Sequence, residues 1–333
     1  MNDWLSAMVD APAVLVTVAH VEGSGPREAG ARMLVTAQRA QDTIGGGHLE
    51  LRAVDIARAM LQDGRQRHLE RFALGPGLGQ CCGGVVHLAF ELADAGVLAK
   101  LRARRAEDSW RMVALDGDAD SALFDGDAHP LWGAATPVFS TTRGTHVMQE
   151  QDGRRWLVDA VPAPRAHLVL FGAGHVGLAI VRALAPLPCH ITWVDERDDM
   201  FPADLPSNVT VEATDMPEAL VASAPSGATY LVMTHSHALD QRLTEAIMAR
   251  ADIGWFGLIG SMTKRRQFEH RLRQKGVDAS RIDAMVCPIG LPGIADKAPA
   301  VIAASVAAQL LMVWQQQASV AQSAPTARLQ VVG

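Results

Sequence analysis

The chain has 333 residues, 49% hydrophobic and 20% charged, with a mean hydropathy of +0.09. At roughly 150 residues per domain this length corresponds to about two domains, and the apolar share excludes a disordered tail or a fibrous repeat. A net charge of −6 excludes a general nucleic-acid-binding field, and four cysteines are too few for a disulfide scaffold, which fits a reducing cytoplasm.

The opening MNDWLSAMVD lacks a basic segment followed by a long apolar run, so no signal peptide is expected. VLVTVAH (14–20) and ARMLVT (31–36) read as strands joined by the turn-rich GSGPREAG. Residues 45–62 open on glycines and then show helical spacing at Leu49, Ala53, Ile56, Ala57 and Met60. RHLERFAL (67–74) and GGVVHLAFEL (83–92) are strand-like and flank the loop GPGLGQCC. A helix near 94–105, a strand near 110–115 and a hairpin of 145–150 with 155–159 around Asp152-Gly153 complete a mixed α+β half. The Pro/Ala-rich VDAVPAPRA (158–166) reads as a linker, which divides the chain into domains 1–160 and 165–318 with a flexible tail at 319–333.

The second half alternates strands and helices. Strands are expected at 167–171, 190–196, 208–213, 229–235 and 255–260. Helices are expected at 178–184, 216–223, 239–251, 261–276 and 297–316. Such alternation predicts an α/β fold with a doubly wound parallel sheet. The most apolar stretch, 298–314, includes Ser305 and Gln309; it reads as a buried helix, too short and interrupted to span a bilayer, so no membrane association is expected.

Gly172-x-Gly174-x-x-Gly177 follows a predicted strand and opens a helix, and Asp195 ends the next strand. That context fits a Rossmann-like domain, with the helix start as an anion site and Asp195 placed to hold a ribose hydroxyl of NAD(P). A Rossmann scaffold without nicotinamide chemistry has the same fingerprint. Gly45-Gly46-Gly47 at a second helix start suits a phosphate, or is a tight connection in which Glu50 complements the helix dipole. His48 and Glu50 do not share a helix face, which argues against a metal pair. Cys81 and Cys82, adjacent between glycine clusters, offer soft thiolates to a metal or a sulfur-transfer partner, or are small buried hydrophobes. His235 and His237 sit at a strand end, the basic run 264–275 reads as a solvated face or an anion-docking or partner-docking one, and Cys287 as buried.

These segments together resemble the xanthine dehydrogenase accessory proteins of the XdhC/CoxI type. In the first half the resemblance rests on GSGPR (23–27), GARM (30–33), IGGGHLE (44–50) and GQCCGG (79–84). In the second it rests on LFGAGHVG (170–177), VDER (194–197), THSHALD (234–240), GLIGSMTKRRQF (257–268), CPIGL (287–291) and KAPAVIAASVAAQLL (297–311). The resemblance implies a molybdenum-cofactor (molybdopterin) chaperone that holds its cargo while a cysteine desulfurase sulfurates it, then hands it to apo-xanthine dehydrogenase. Cys81 or Cys82 would contact the molybdenum, with Gly45–Gly47 and Gly172–Gly177 as phosphate sites. An NAD(P)-dependent oxidoreductase using Gly172, Gly174, Gly177 and Asp195 is the alternative; a scaffold binding neither ligand is a third. The family also suggests a homodimer through the apolar C-terminal helix, which burial within the second half explains equally well.

Overall fold

AVLVTVAHVE forms β1 (Ala13–Glu22), the middle strand of the first of three five-stranded sheets among the described residues. The computed structural model describes residues 3–6, 11–75 and 83–323. It divides into two units, Met1–Ala163 and Pro164–Gly333.

In the first unit, a short helix α1 (Asp3–Ser6) precedes β1. β2 (Arg32–Thr36), β3 (Ala40–Asp42), helix α2 (Gly47–Asp63), β4 (Arg67–Ala73) and β5 (Val85–Leu92) follow. The first sheet is antiparallel, in the order β3-β2-β1-β5-β4. Alternation along β1 sends Val14, Val16 and Val18 to one face, where they meet Leu49, Ala53, Ala57 and Met60 of α2. Leu49 and Met60 are fully buried and contribute roughly 1.5–3 kcal/mol each by leaving water. After α3 (Ala95–Ala103), whose first turn is capped by the Asp94 carboxylate, come β6 (Ser109–Ala114), β7 (Ser121–Asp125), β8 (Pro130–Gly133), β9 (His146–Gln149) and β10 (Arg155–Val161). They make a second antiparallel sheet, β8-β7-β6-β10-β9. Ala19 and Ala89 of the first sheet pack against Val113, Leu115 and Leu157 on and beside the second.

A buried ionic bridge also joins these sheets. Asp159 of β10 has no exposed surface; its carboxylate accepts from Arg32 of β2 and from Arg111 of β6, the latter at 2.8 and 3.0 Å. Arg111 also donates to Glu91 of β5 at 2.8 Å. Burial by itself would favour a protonated Asp159, but Arg32 and Arg111 outweigh it and hold the carboxyl below its ordinary range.

The second unit runs β11 (Ala166–Phe171), α4 (His175–Leu184), β12 (Cys189–Asp195), β13 (Val209–Ala213), α5 (Glu218–Ser223), β14 (Thr229–Val232), α6 (His237–Ala249), β15 (Trp255–Leu258), α7 (Met262–Gln274), α8 (Ala279–Ala284) and α9 (Pro299–Ser323). Its sheet is wholly parallel, in the order β13-β12-β11-β14-β15, so the winding reverses between β11 and β14. α4 and α9 cover one face, with Ile180, Leu184, Val306 and Leu310 in the core. α6, α7 and α8 cover the other, through Leu243, Ile247, Phe268, Leu272 and Ile282. This is the expected α/β architecture, with an α+β first half whose strands separate into two sheets.

Several short elements differ from the sequence reading. α1, β3, β7, β8 and α8 are each six residues or fewer, too short to show a period, and the three strands form by pairing with longer neighbours. α9 continues to Ser323, past the expected end of the domain at 318. By length and composition Pro299–Ser319 is also long and apolar enough to cross a membrane, contrary to expectation. One face is nevertheless committed to the core, where Ala303, Val306, Leu310 and Trp314 are buried.

Candidate functional site

Three glycine-containing segments meet at one end of the first sheet. The turn after β1 carries Gly23 at φ +71°, and Gly84, just before β5, crowds against it. A Cβ on Gly84 would lie 2.4 Å from the Ser24 carbonyl oxygen and 2.5 Å from that of Glu22, so only glycine fits. Gly84 O also accepts from Leu74 N at 2.9 Å, closing the two ends of the intervening loop. Cys81 and Cys82 fall between Leu74 and Gly84 in the sequence and lie outside the described residues. The same turn reaches the helix start of α2, because Gly45 packs on Pro26 and Arg27 Nη1 donates to the Thr43 carbonyl at 3.3 Å.

Gly45, Gly46 and Gly47 all have positive φ, as a turn of exposed N–H donors requires. Glu50 already occupies part of it. Its Oε2 accepts from Gly46 N at 3.0 Å, from Ile44 N at 3.1 Å and from the Thr43 hydroxyl. A carboxylate at this helix start complements the dipole and repels a second anion. His48 is exposed in the first turn of α2 and is not brought to Glu50 as a ligand pair.

The other two cysteines are core groups. Cys189 is buried and its thiol is pushed up to about 12 by burial, against a hydrogen bond from Asn208. Burial likewise raises Cys287, against the nearby charges of Lys264 and Arg265. Neither supplies a thiolate near neutral pH.

In the second unit the glycine fingerprint separates into packing and open positions. A Cβ on Gly172 would sit 2.5 Å from the Met233 carbonyl oxygen, and one on Gly177 2.2 Å from that of Gly172. Those two glycines let β11 approach the end of β14 and let α4 lie on the turn. Gly174 faces open space. Asp195 ends β12, buried, beside a crevice also lined by Phe171, Pro217, Thr234 and Leu239. Its Oδ2 accepts from Ala173 N at 2.7 Å and Arg197 Nη2 at 3.1 Å; its Oδ1 accepts from Arg197 N at 3.1 Å and Nε at 2.9 Å. Four donors saturate the lone-pair sites of one carboxylate. Burial opposes its ionisation, but the Arg197 and Ala173 bonds prevail and lower its pKa. Asp195 therefore locks the glycine turn to the strand end, leaving no acceptor for a ribose hydroxyl.

His235 and His237 are exposed, His237 with its ring edge-on to Phe268 at 4.9 Å. Sequence reasoning did not find the partner of the basic helix: Lys264 Nζ donates to the buried Asp240 at 2.5 Å and to the Ile259 carbonyl at 2.9 Å. Asp240 Oδ1 in turn accepts from Thr234, so this cluster ties the two loops after β14 and β15 together. The Asp at the end of THSHALD and the Lys of GSMTKRR were the available signals.

Two family descriptions match these halves: the XdhC and CoxI family over residues 8–73, and the XdhC Rossmann domain over residues 168–310. The chain belongs to the XdhC family. The XdhC chain is 31% identical over 155 residues, 46% of its own length, to the uncharacterized protein YqeB of Escherichia coli K12. That match spans only 28% of YqeB. It is also similar to a crystal structure from Bacillus halodurans described as a xanthine dehydrogenase, with a TM-score of 0.69, 20% identity and 94% of each chain covered. At that identity the likeness is one of fold, and it extends over both units.

Proposed function

We propose that this XdhC protein is a molybdenum-cofactor carrier in xanthine dehydrogenase maturation. It binds the cofactor, shields it while a cysteine desulfurase installs the terminal sulfido ligand, and delivers it to the apo-enzyme. The observation that supports this most is the convergence of the 23–27 turn, the Thr43–Glu50 turn and Gly84 at one end of the first sheet. A cysteine pair flanked by that fixed frame suits reversible capture, because a soft thiolate binds molybdenum and a single sulfur contact still permits release. Cys189 and Cys287 are core thiols whose ionisation burial opposes, which supports Cys81 or Cys82 as the thiolate of this reading. The oxidoreductase alternative is not favoured, since Asp195 is saturated by Arg197 and Ala173. Incubation with molybdenum cofactor followed by gel filtration tests the proposal. Molybdenum is expected to co-elute with the chain, to decrease in Cys81→Ala or Cys82→Ala, and to be transferred to apo-xanthine dehydrogenase with recovery of activity. Full retention and full activation by both variants would remove the thiolate assignment. The same elution volume reports whether the carrier is a homodimer.

A further inference from the structure

Between Val18 and His20 the pairing of β1 with β5 slips by one residue. Val14, Val16 and Val18 face α2, and in an unbroken strand His20 would follow them into that core. The bulge instead gives Val21 to the core and turns His20 to the opposite face. There His20 stands opposite His87 of β5, with ring centroids 5.8 Å apart. Arg71 of β4 stands opposite His87 on the other side. Side chains directly opposite across antiparallel strands share a face, so His20, His87 and Arg71 form a basic row across three strands. The Glu22 carboxylate accepts from His87 Nε2 at 3.1 Å and orients that ring. The face is buried as far as Ala19 and Ala89, and opens at His20 and Arg71. The row lies two ladder pairs from Val85, the residue after Gly84, and so beside the convergent turns.

We propose that His20, His87 and Arg71 are the anion-binding part of the carrier site and take the phosphate monoester of the cargo; this rests on the carrier reading above. The helix start at Gly45–Gly47, the obvious phosphate site by sequence, is already partly occupied by the Glu50 carboxylate, which repels a second anion. The row supplies a guanidinium fork and two imidazoles on one sheet face that opens to solvent at His20 and Arg71, side chains that donate to phosphate oxygens. A solvated sheet face has polar residues as a matter of course; the bulge, which spends strand regularity to bring one histidine onto another, distinguishes this row from such a face.

The test is a titration of imidazole-labelled protein with inorganic phosphate, with chloride at matched ionic strength as the control. His20 and His87 signals, assigned with His20→Gln and His87→Gln, are expected to shift saturably with phosphate while the exposed His129 does not. Arg71→Gln is expected to weaken the phosphate affinity roughly tenfold, with partial rescue by Arg71→Lys and an unchanged thermal midpoint. No saturable shift, or equal shifts at His129, overturns the proposal. So does undiminished molybdenum-cofactor retention by His20→Gln/Arg71→Gln when the wild type binds the cofactor. If wild type retains no cofactor while phosphate still shifts both imidazoles, the carrier reading fails and the anion row stands.

Discussion

Asp159 shows what a single carboxylate contributes when two guanidinium groups close on it away from water. Arg32 and Arg111 approach it from two different sheets, and Thr145 adds a hydroxyl donor at 3.0 Å. Replacing it by asparagine leaves two buried cations facing a neutral amide. Asp159→Asn is therefore expected to destabilise the first unit by about 3–5 kcal/mol in urea unfolding. Loss of the exposed Asp63–Arg65 pair, by contrast, is expected to leave the urea midpoint unchanged. Because the folded-state pKa of Asp159 lies below the ordinary 3.8, the stability this carboxylate contributes is present above that value and is lost as pH falls through the lower folded one. The acid limb of unfolding should flatten in the variant; an unchanged limb and midpoint would remove the bridge from the stability account. Arg32 was visible in the sequence only as one letter of GARM, because its partner lies 127 residues away.

At the level of elements, α9 shows how a polar interruption acquires a meaning. Ser305 and Gln309 looked like breaks in an apolar helix. In the fold Ser305 Oγ accepts from Leu291 N at 2.7 Å, and the Gln309 amide exchanges bonds with both backbone groups of Gly290 at 2.8 and 3.1 Å. Gly290 is at φ +98°, and a Cβ there would meet Ser305 Oγ at 2.7 Å. Together they clamp the loop that follows the Val286 bridge to Gly257. Ser305→Ala should cost about 1–3 kcal/mol by orphaning an amide, and should speed hydrogen exchange at Leu291 without melting α9. Unchanged exchange at Leu291 would show that the loop holds itself. The long helices were legible because their apolar periods run over ten or more residues, and the longer strands because their apolar runs are bounded by turn residues. The bulge at Val18–His20 was not, since it depends on how β1 is paired with β5 and not on β1 alone.

For the molecule as a whole, pH acts on the second unit through a histidine pair at the start of its parallel sheet. His167 and His190 are paired on β11 and β12, with rings 5.0 Å apart, and His167 meets Thr192 Oγ1 at 3.1 Å. Burial first, and His190 second, lower the His167 pKa from 6.5 to about 4. The unfolded chain therefore binds a proton that the folded unit refuses between those values. The His167 effect is absent above pH 6.5 and lowers the stability of the unit as pH drops toward 4. Thermal unfolding from pH 8 to 4 should show this slope in wild type, and a shallower one in His167→Gln. Equal slopes would place the acid sensitivity elsewhere.

Local composition and periodicity were enough to specify the parallel α/β half and the glycine turns, and the short motifs that carry the family resemblance are equally local, because those features are written within about ten to twenty consecutive residues. They also marked Gly172 and Gly177, whose lack of a side chain is a local fact. Tertiary structure alone decided which marked groups are available. It saturated Asp195 with Arg197, put Glu50 into the Gly46 turn, buried Cys189, and set His20 beside His87. Each outcome turns on a hydrogen bond or a burial set by chain packing, and a hydrogen-bond acceptor that is already satisfied looks the same in sequence as one that is open.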